Sequence, residues 1–492
     1  MASLEEVRSE RLKKLALLKE GGVNPYPIAS TPDFTIANAI NNFSKLSKRK
    51  GGITLAGRVM AIRGQGALTF FNLFDGTGTF QGLLKKDEVS EKDFTLFAGT
   101  VDIGDFIEVK GTLFVTKRKE KTILGRNWKM LAKSLRPLPD KWHGLQDIEE
   151  RFRRRYLDTL MSDESRSRFI LRASLVASIR EYLNKEGFLE VETPILQSRA
   201  GGALAEPFKT HHNALDIDLY LRIAPELYLK ELLVGGFSKV YELSRNFRNE
   251  GIDATHNPEF TMLEYYEAYS DADEQMAFAE KMIKTVVKKI LKSGSIGYEG
   301  GNIDFSKKFT VVSFFDLLKR YALISHPDKA TLPELTLKAK QLAIETKLSD
   351  TIEKIMDNIY KKMCRPKIIQ PTFITDFPAS FSPFAKKSET NEAFIDRFQL
   401  VIGGLEIANG FSELNDPIDQ RQRYELQEKK RAQGEKEISP SDEEYLEAME
   451  YGMPPAGGIG IGIDRLCMLM TNSASIQDVL FFPQMRPEKN QE

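Results

Sequence analysis

Cysteine is nearly missing from this chain. Cys364 and Cys467 are the only two in 492 residues, which excludes a disulfide-stapled scaffold and a thiolate metal site. Histidine is scarce too: the 5 present show no HxxxH-type spacing, so zinc has no case. Net charge is absent, because 70 Lys+Arg balance 70 Asp+Glu. A neutral body does not coat nucleic acid unspecifically, although a local basic patch stays open. No apolar run approaches the roughly 20 residues that a membrane helix needs. Met1-Ala-Ser-Leu-Glu-Glu lacks the apolar core of a signal peptide. These absences predict a cytoplasmic protein of a reducing compartment with no membrane partner.

What is present divides along the chain. A length of 492 residues predicts two or three domains. Residues 1–50 read as a basic amphipathic helix from Leu4 to Glu20, stopped by Gly21-Gly22, and then an extended segment. Arg8, Arg11, Lys13, Lys14 and Lys19 make this either an ordinary surface helix or one lying beside RNA. Residues 51–136 change to short strands with turn signals, such as Asp75-Gly-Thr-Gly78, and predict a small antiparallel barrel. Residues 137–165 read as a linker opened by Pro137-Leu-Pro. Residues 166–492 alternate helices and strands, with a mostly helical, charged insertion at about 271–365. Helices grouped apart from strands favour an α+β fold around an antiparallel sheet.

The densest chemistry lies in Arg245-Asn-Phe-Arg-Asn-Glu-Gly251 and His256-Asn-Pro-Glu-Phe-Thr-Met-Leu-Glu264. Alternating text on both sides predicts a hairpin, with Arg248 and Glu250 sharing one face and Glu264 and Tyr266 another. Charged hairpin residues are commonly just solvated. Here, however, an arginine able to fork onto a phosphate or carboxylate stands near Phe260, an aromatic able to stack a flat base. That combination favours a nucleotide site. Gly457-Gly-Ile-Gly-Ile-Gly-Ile-Asp-Arg465 lacks the G-x-G-x-x-G order of a dinucleotide loop and the Gly-Lys-Ser/Thr of a phosphate loop. Its period-two glycines suit tight sheet packing, or a strand closely approached by a ligand whose phosphate meets Arg465. Gly403-Gly-Leu-Glu406 through Asn409 to Glu413 reads either as turn formers or as oxygen ligands for magnesium beside a triphosphate.

Three segments, in order from Gly187 to Arg465, together resemble the signature motifs of class II aminoacyl-tRNA synthetases. Gly187-Phe-Leu-Glu-Val-Glu-Thr-Pro194 is similar to the first, a dimer-interface helix and strand; the hairpin resembles the second, and Gly460-Ile-Gly-Ile-Asp-Arg465 the third. The barrel followed by Leu135-Arg-Pro-Leu-Pro-Asp-Lys141 is similar to the subgroup of aspartyl, asparaginyl and lysyl enzymes. Within it, His211-His-Asn-Ala-Leu-Asp, Arg222-Ile-Ala-Pro-Glu-Leu-Tyr-Leu-Lys and Asn409-Gly-Phe-Ser-Glu-Leu-Asn-Asp most resemble the lysyl members.

The resemblance implies an N-terminal OB-fold β-barrel that binds the anticodon. It also implies a class II catalytic domain built on an antiparallel sheet flanked by helices, working as a homodimer on ATP, L-lysine and tRNA(Lys) with magnesium. It assigns Arg248 and Arg465 to catalysis. ATP would meet Arg248, Glu250, His256, Asn257, Phe260, Glu406 and Arg465. Lysine would meet Gly202, Glu226, Arg248, Glu264, Tyr266, Asn409 and Glu413, and anticodon bases would meet Arg63, Phe70 and Gln81. Either Phe70 or Phe71 would face outward, since alternation allows only one of them to do so. Glu406 and Gln399 would take the metal. The chain departs from the family's usual acidic residue at Gln399, whose carbonyl brings less charge, and from its frequent glutamate at Asn127. A lysyl-transferring paralogue acting on protein would lack the barrel. A non-enzymatic RNA-binding descendant would have lost Arg248, Arg465 or Glu406.

Overall fold

Alternation of apolar and polar residues in Ile53–Gln65 buries Ile53, Leu55 and Val59 on one side, as a half-buried strand requires. In the computed structural model this is β1 of a closed five-stranded barrel, with β2 at Leu68–Phe74, β3 at Thr79–Lys85, β4 at Phe106–Val115 and β5 at Lys121–Ala132. The barrel order is β1-β2-β3-β5-β4, and every pairing is antiparallel except β3 with β5. The expected barrel is therefore present with one parallel closure. The structure describes residues 3–139, 145–203, 205–348, 350–432 and 440–487. It divides into Met1–Gln146 and Asp147–Glu492.

In the first unit the helix Leu4–Glu20 starts on a capping box between Ser3 and Glu6 and ends at Gly21. Its basic residues do not form a free stripe. Arg11 is buried and donates to the carbonyls of Ile103, Ser134 and Arg136, and Lys14 pairs with Asp102 at 2.5 Å. Arg8 and Lys13 pair with Glu5 and Glu10 along the helix. For Arg11 and Lys14 the role is attachment of the helix to the barrel.

The second unit is built on an eight-stranded sheet. Its spatial order is Thr310–Ser313, Thr372–Thr375, Arg397–Ile402, Leu405–Ser412, Ala456–Gly462, Glu259–Ala268, Lys239–Phe247 and Leu189–Glu190. Only the outermost pair at each edge is parallel. Helices Asp163–Lys185 and Ala272–Leu291 bury Leu175, Ile179, Met282 and Ile283 in one core with Ile459 and Ile461 of the central glycine strand. This is the α+β arrangement expected from the grouping of helices. The stretch anticipated as an insertion supplies the edge strand Thr310–Ser313, so it is continuous with the sheet. Ile148–Arg153 and Arg155–Met161, within the span read as linker, are short helices. Buried Arg155 there bonds Asp158 and the carbonyls of Gln477 and Leu480, tying down the C-terminal segment. Among the described residues no helix is long and apolar enough to cross a membrane.

Candidate active site

The hairpin forms as its alternation predicts, with Lys239–Phe247 antiparallel to Glu259–Ala268. Arg248 and Glu250 fall just past the strand end, in the connecting loop, where the backbone N–H of Arg248 donates to the Pro258 carbonyl. Together with the central glycine strand and Leu405–Ser412, this hairpin walls a cavity of about 520 Å³. The wall includes Gly202, Glu226, Arg248, Glu250, His256, Asn257, Phe260, Glu264, Tyr266, Glu406, Asn409 and Arg465. Residues scattered over more than two hundred positions of sequence thus meet at one surface. Glu413 and Gln399 do not line it.

The two ends of the cavity differ in charge. At one end Arg248 lies with its guanidinium 5.0 Å from the centre of the Phe260 ring, and its Nε has no hydrogen-bond partner among the described residues. Burial lowers the pKa of Arg248, while the carboxylates of Glu250, Glu264 and Glu406 oppose that shift. A cationic donor facing empty space is suited to an anionic ligand. Arg465 opens the helix Ile463–Met470 and donates to the Glu406 carbonyl at 3.0 Å and to His256 Nε2 at 3.0 Å. Because arginine only donates, Nε2 accepts, and His256 Nδ1–H then faces Asp253 at 2.8 Å. That carboxylate, although its burial acts to raise its pKa, is held low by the Thr255 N–H and by His256. Asn257 is locked by the Glu259 carbonyl at 2.6 Å, and Asn409 accepts from Arg397 at 2.8 Å.

The other end is acidic. Glu264 is buried, and burial together with the neighbouring Glu226 charge pushes its pKa up to about 8. The Tyr266 hydroxyl donates to it at 3.2 Å, as alternation along one strand face allows. Burial also raises the pKa of Glu226, with Lys230 opposing. Glu413 lies behind the wall and is likewise pushed up to about 8, by burial and by Glu226, against the pull of Lys230.

Two glycines are required here. Gly202 has φ +82°, and a Cβ there would stand 2.9 Å from Glu226 Cβ. A Cβ on Gly458 would overlap Glu413 Oε1 and the Tyr266 ring. The alternating glycines therefore make room for functional side chains as well as for a ligand. Gly458→Ala is expected to destabilise the protein by about 1–3 kcal/mol, read as a lower thermal unfolding midpoint; an unchanged midpoint would contradict this packing.

Glu406 lines the cavity, and although burial acts to raise its pKa, Arg465, Arg365, Lys361 and Arg397 hold it low. It is thus an ionised carboxylate, the chemistry that a magnesium ion sharing phosphate ligands takes. Gln399 differs: it is buried, and its amide oxygen accepts from the Tyr360 hydroxyl at 3.3 Å. Among the described residues no group of three or more His, Cys, Asp or Glu stands ready to hold a metal. Of the two residues that the resemblance assigns to magnesium, Glu406 lines the cavity as a carboxylate and Gln399 does not line it.

Sequence reasoning missed Lys230, Arg365, Arg397, Phe384 and Phe411. All except Lys230 line the cavity. Lys230 and Phe411 lie within segments already singled out, on the helix of Glu226 and the strand of Asn409, but spacing does not tell which way they face; Arg365, Arg397 and Phe384 arrive from elsewhere in the chain. In the first unit, Arg63 and Phe70 are cross-strand partners, and Gln81 follows on the same face through the Phe70–Leu83 pairing. Phe71 is the core residue and Phe70 the outward one. Gln81 accepts from the Thr122 hydroxyl at 2.8 Å, and Asn127 is exposed on β5.

Family comparison agrees with both units. Residues 147–486 match the family described as tRNA synthetases class II (D, K and N), and residues 53–135 match the OB-fold nucleic acid binding domain. A lysine--tRNA ligase of Pelotomaculum thermopropionicum is 46% identical over 99% of this chain and 96% of its own length. The corresponding ligase of Carboxydothermus hydrogenoformans is 46% identical over 98% and 99%. That of Bacillus cytotoxicus is 44% identical over 98% and 97%. The chain belongs to the class II tRNA synthetases of the D, K and N group.

Proposed function

We propose that this protein activates L-lysine with ATP, giving lysyl-adenylate and pyrophosphate, and then passes the lysyl group to tRNA(Lys). One observation carries the reading. A single cavity joins an arginine under an aromatic ring at one end to a group of buried carboxylates at the other. Lysine carries one carboxylate and two ammonium groups, so it matches that polarity, whereas aspartate would place a second anion against Glu264.

In the first step an oxygen of the lysine carboxylate attacks the α-phosphorus of ATP. The bond to the bridging oxygen breaks, and pyrophosphate leaves with the electron pair. Arg248 holds the attacking carboxylate and the α-phosphate together, so its charge counts most when both oxygens crowd the phosphorus. Phe260 stacks adenine, with Glu250 and Asn257 beside base and ribose. His256 and Arg465 hold the outer phosphates. Glu406 would hold magnesium together with those phosphates, and the ion supplies charge neutralisation there. Glu226 and the Gly202 carbonyl take the α-ammonium, and Asn409 assists Arg248. Glu264, Tyr266 and Glu413 act on the ε-ammonium. In the second step a terminal ribose hydroxyl of the tRNA attacks the acyl carbon, and AMP departs.

Arg63, Phe70 and Gln81 share one barrel face and meet anticodon bases by stacking and hydrogen bonding, the usual mode for single strands on this fold. Phe70→Ala is expected to lower kcat/KM for tRNA charging by about 10- to 100-fold. Pyrophosphate exchange should stay unchanged, and comparing the two assays on one preparation checks it. A second copy of the chain covers the outer face of Asp163–Lys185, an assembly supported by an open hollow lined by Phe169, Val176 and Phe481 and by exposed Ile170 and Phe482. The reaction takes place in the cytoplasm. Lysine-dependent ATP–pyrophosphate exchange, with aspartate and asparagine as controls, tests the whole reading. Exchange with aspartate, or none with lysine, sinks it.

A further inference from the structure

Lys230 is fully buried in the helix Glu226–Val234 and does not touch the cavity. Its ammonium lies 2.5 Å from Glu226 Oε1 and 2.5 Å from Glu413 Oε2. It stands behind three rings that do line the cavity, 5.1 Å from the centre of Phe384, 5.2 Å from Phe411 and 5.9 Å from Tyr266. One cation thus bridges two carboxylates that arrive from a helix and from the end of a sheet strand. A buried lysine is costly to maintain, and an apolar residue in its place would leave two buried carboxylates without their cation.

We propose that Lys230 is a positioning residue for amino-acid selection: its ammonium, held between Glu226 and Glu413, fixes the direction of both carboxylates at the end of the pocket that takes the substrate's ammonium groups. Without that cation Glu226 and Glu413 lose the contact that sets their direction. With it, Glu226 is aimed at the α-ammonium, and Glu413 is held against Lys230 behind the cavity wall that Tyr266 forms. Burial acts to lower the pKa of Lys230, and Glu226 and Glu413 more than reverse it, so the group stays charged. Tyr266, Tyr424 and Tyr445 face it from the neighbouring elements and stay neutral, each raised by burial.

This inference rests on the lysine-pocket reading above, which wild-type exchange with lysine and the aspartate and asparagine controls tests separately. Lys230→Met and Lys230→Arg are compared with wild type in pyrophosphate exchange, measuring KM for lysine and for ATP across pH. Lys230→Met is expected to raise KM for lysine about 10- to 100-fold and to leave KM for ATP within twofold. It should also move the acid limb of the lysine profile to higher pH, because the charge opposing carboxylate protonation is gone. Lys230→Arg keeps the charge but displaces both carboxylates, so KM for lysine should rise about tenfold with the acid limb unmoved. Should Lys230→Met fail to fold, the Arg variant decides. A wild-type KM for lysine in either variant, equal losses for lysine and ATP, or an unmoved acid limb in the Met variant would overturn the proposal.

Discussion

Replacing Arg248 with methionine is expected to lower lysine-dependent pyrophosphate exchange about 10³-fold while leaving the protein folded. The side chain has its guanidinium Nε buried without a hydrogen-bond partner among the described residues. Its packing is a ring contact with Phe260, which methionine largely keeps. Folding therefore loses little. Catalysis loses the one cation placed to meet both the amino-acid carboxylate and the α-phosphate. A charge that bridges nucleophile and electrophile acts more strongly in the transition state than in either ground-state complex, so kcat should fall more than KM rises. Steady-state exchange kinetics with a thermal unfolding control measures both. A loss confined to KM for ATP would contradict the bridging role.

Glu264→Gln is expected to cut kcat/KM for lysine about 10²- to 10³-fold, with KM for ATP little changed, and to flatten the pH profile. The wild-type profile follows from burial. Glu264 and Glu413 are raised to about 8, so in the empty cavity this pair holds protons at neutral pH. An ammonium binds the carboxylate form, and lysine must displace those protons. The value of kcat/KM for lysine should accordingly climb as pH rises toward 8, until the substrate's own ammonium groups lose their protons, the α-ammonium before the ε-ammonium. Stability has the matching sign. Both groups go from an ordinary value of 4.5 to about 8 on folding. Their burial costs nothing below the ordinary value, and it costs progressively more as pH rises through the window up to about 8. The empty protein should lose stability across that window, and saturating lysine should raise the unfolding midpoint more at pH 8.5 than at pH 6. A lysine-induced shift independent of pH would contradict the assignment.

Local rules made much of the architecture legible. Alternation located β1 of the barrel and both hairpin strands, and Gly21 ended the first helix as expected. The motif residues proposed for the site, from Gly202 to Arg465, could be named because their segments resemble the signature motifs of a known family; composition alone singled out the hairpin. Other features resisted. Alternation showed that only one of Phe70 and Phe71 could face out, but the choice was made by Phe97, whose ring packs 5.4 Å from that of Phe71. Arg11 and Lys14 read as part of an ordinary surface helix or of one beside RNA, and the pattern could not show that the barrel supplies their partners.

Sequence by itself pointed to the class of chemistry, through residues suited to phosphate and base in one hairpin and a family resemblance that implies an ammonium pocket. Tertiary structure alone decided which of those groups face the ligand and which stand behind it. Lys230, four residues after Glu226, reads on paper as an ordinary solvated helix pair, yet it is the buried cation between two carboxylates. Glu413 and Gln399 look like wall residues, yet lie off the cavity, one against Lys230 and the other against Tyr360. The physical reason is the same in each case. Local spacing sets direction along a helix or strand, while burial, and with it the protonation and partners of a charged group, is set by elements that arrive from far along the chain.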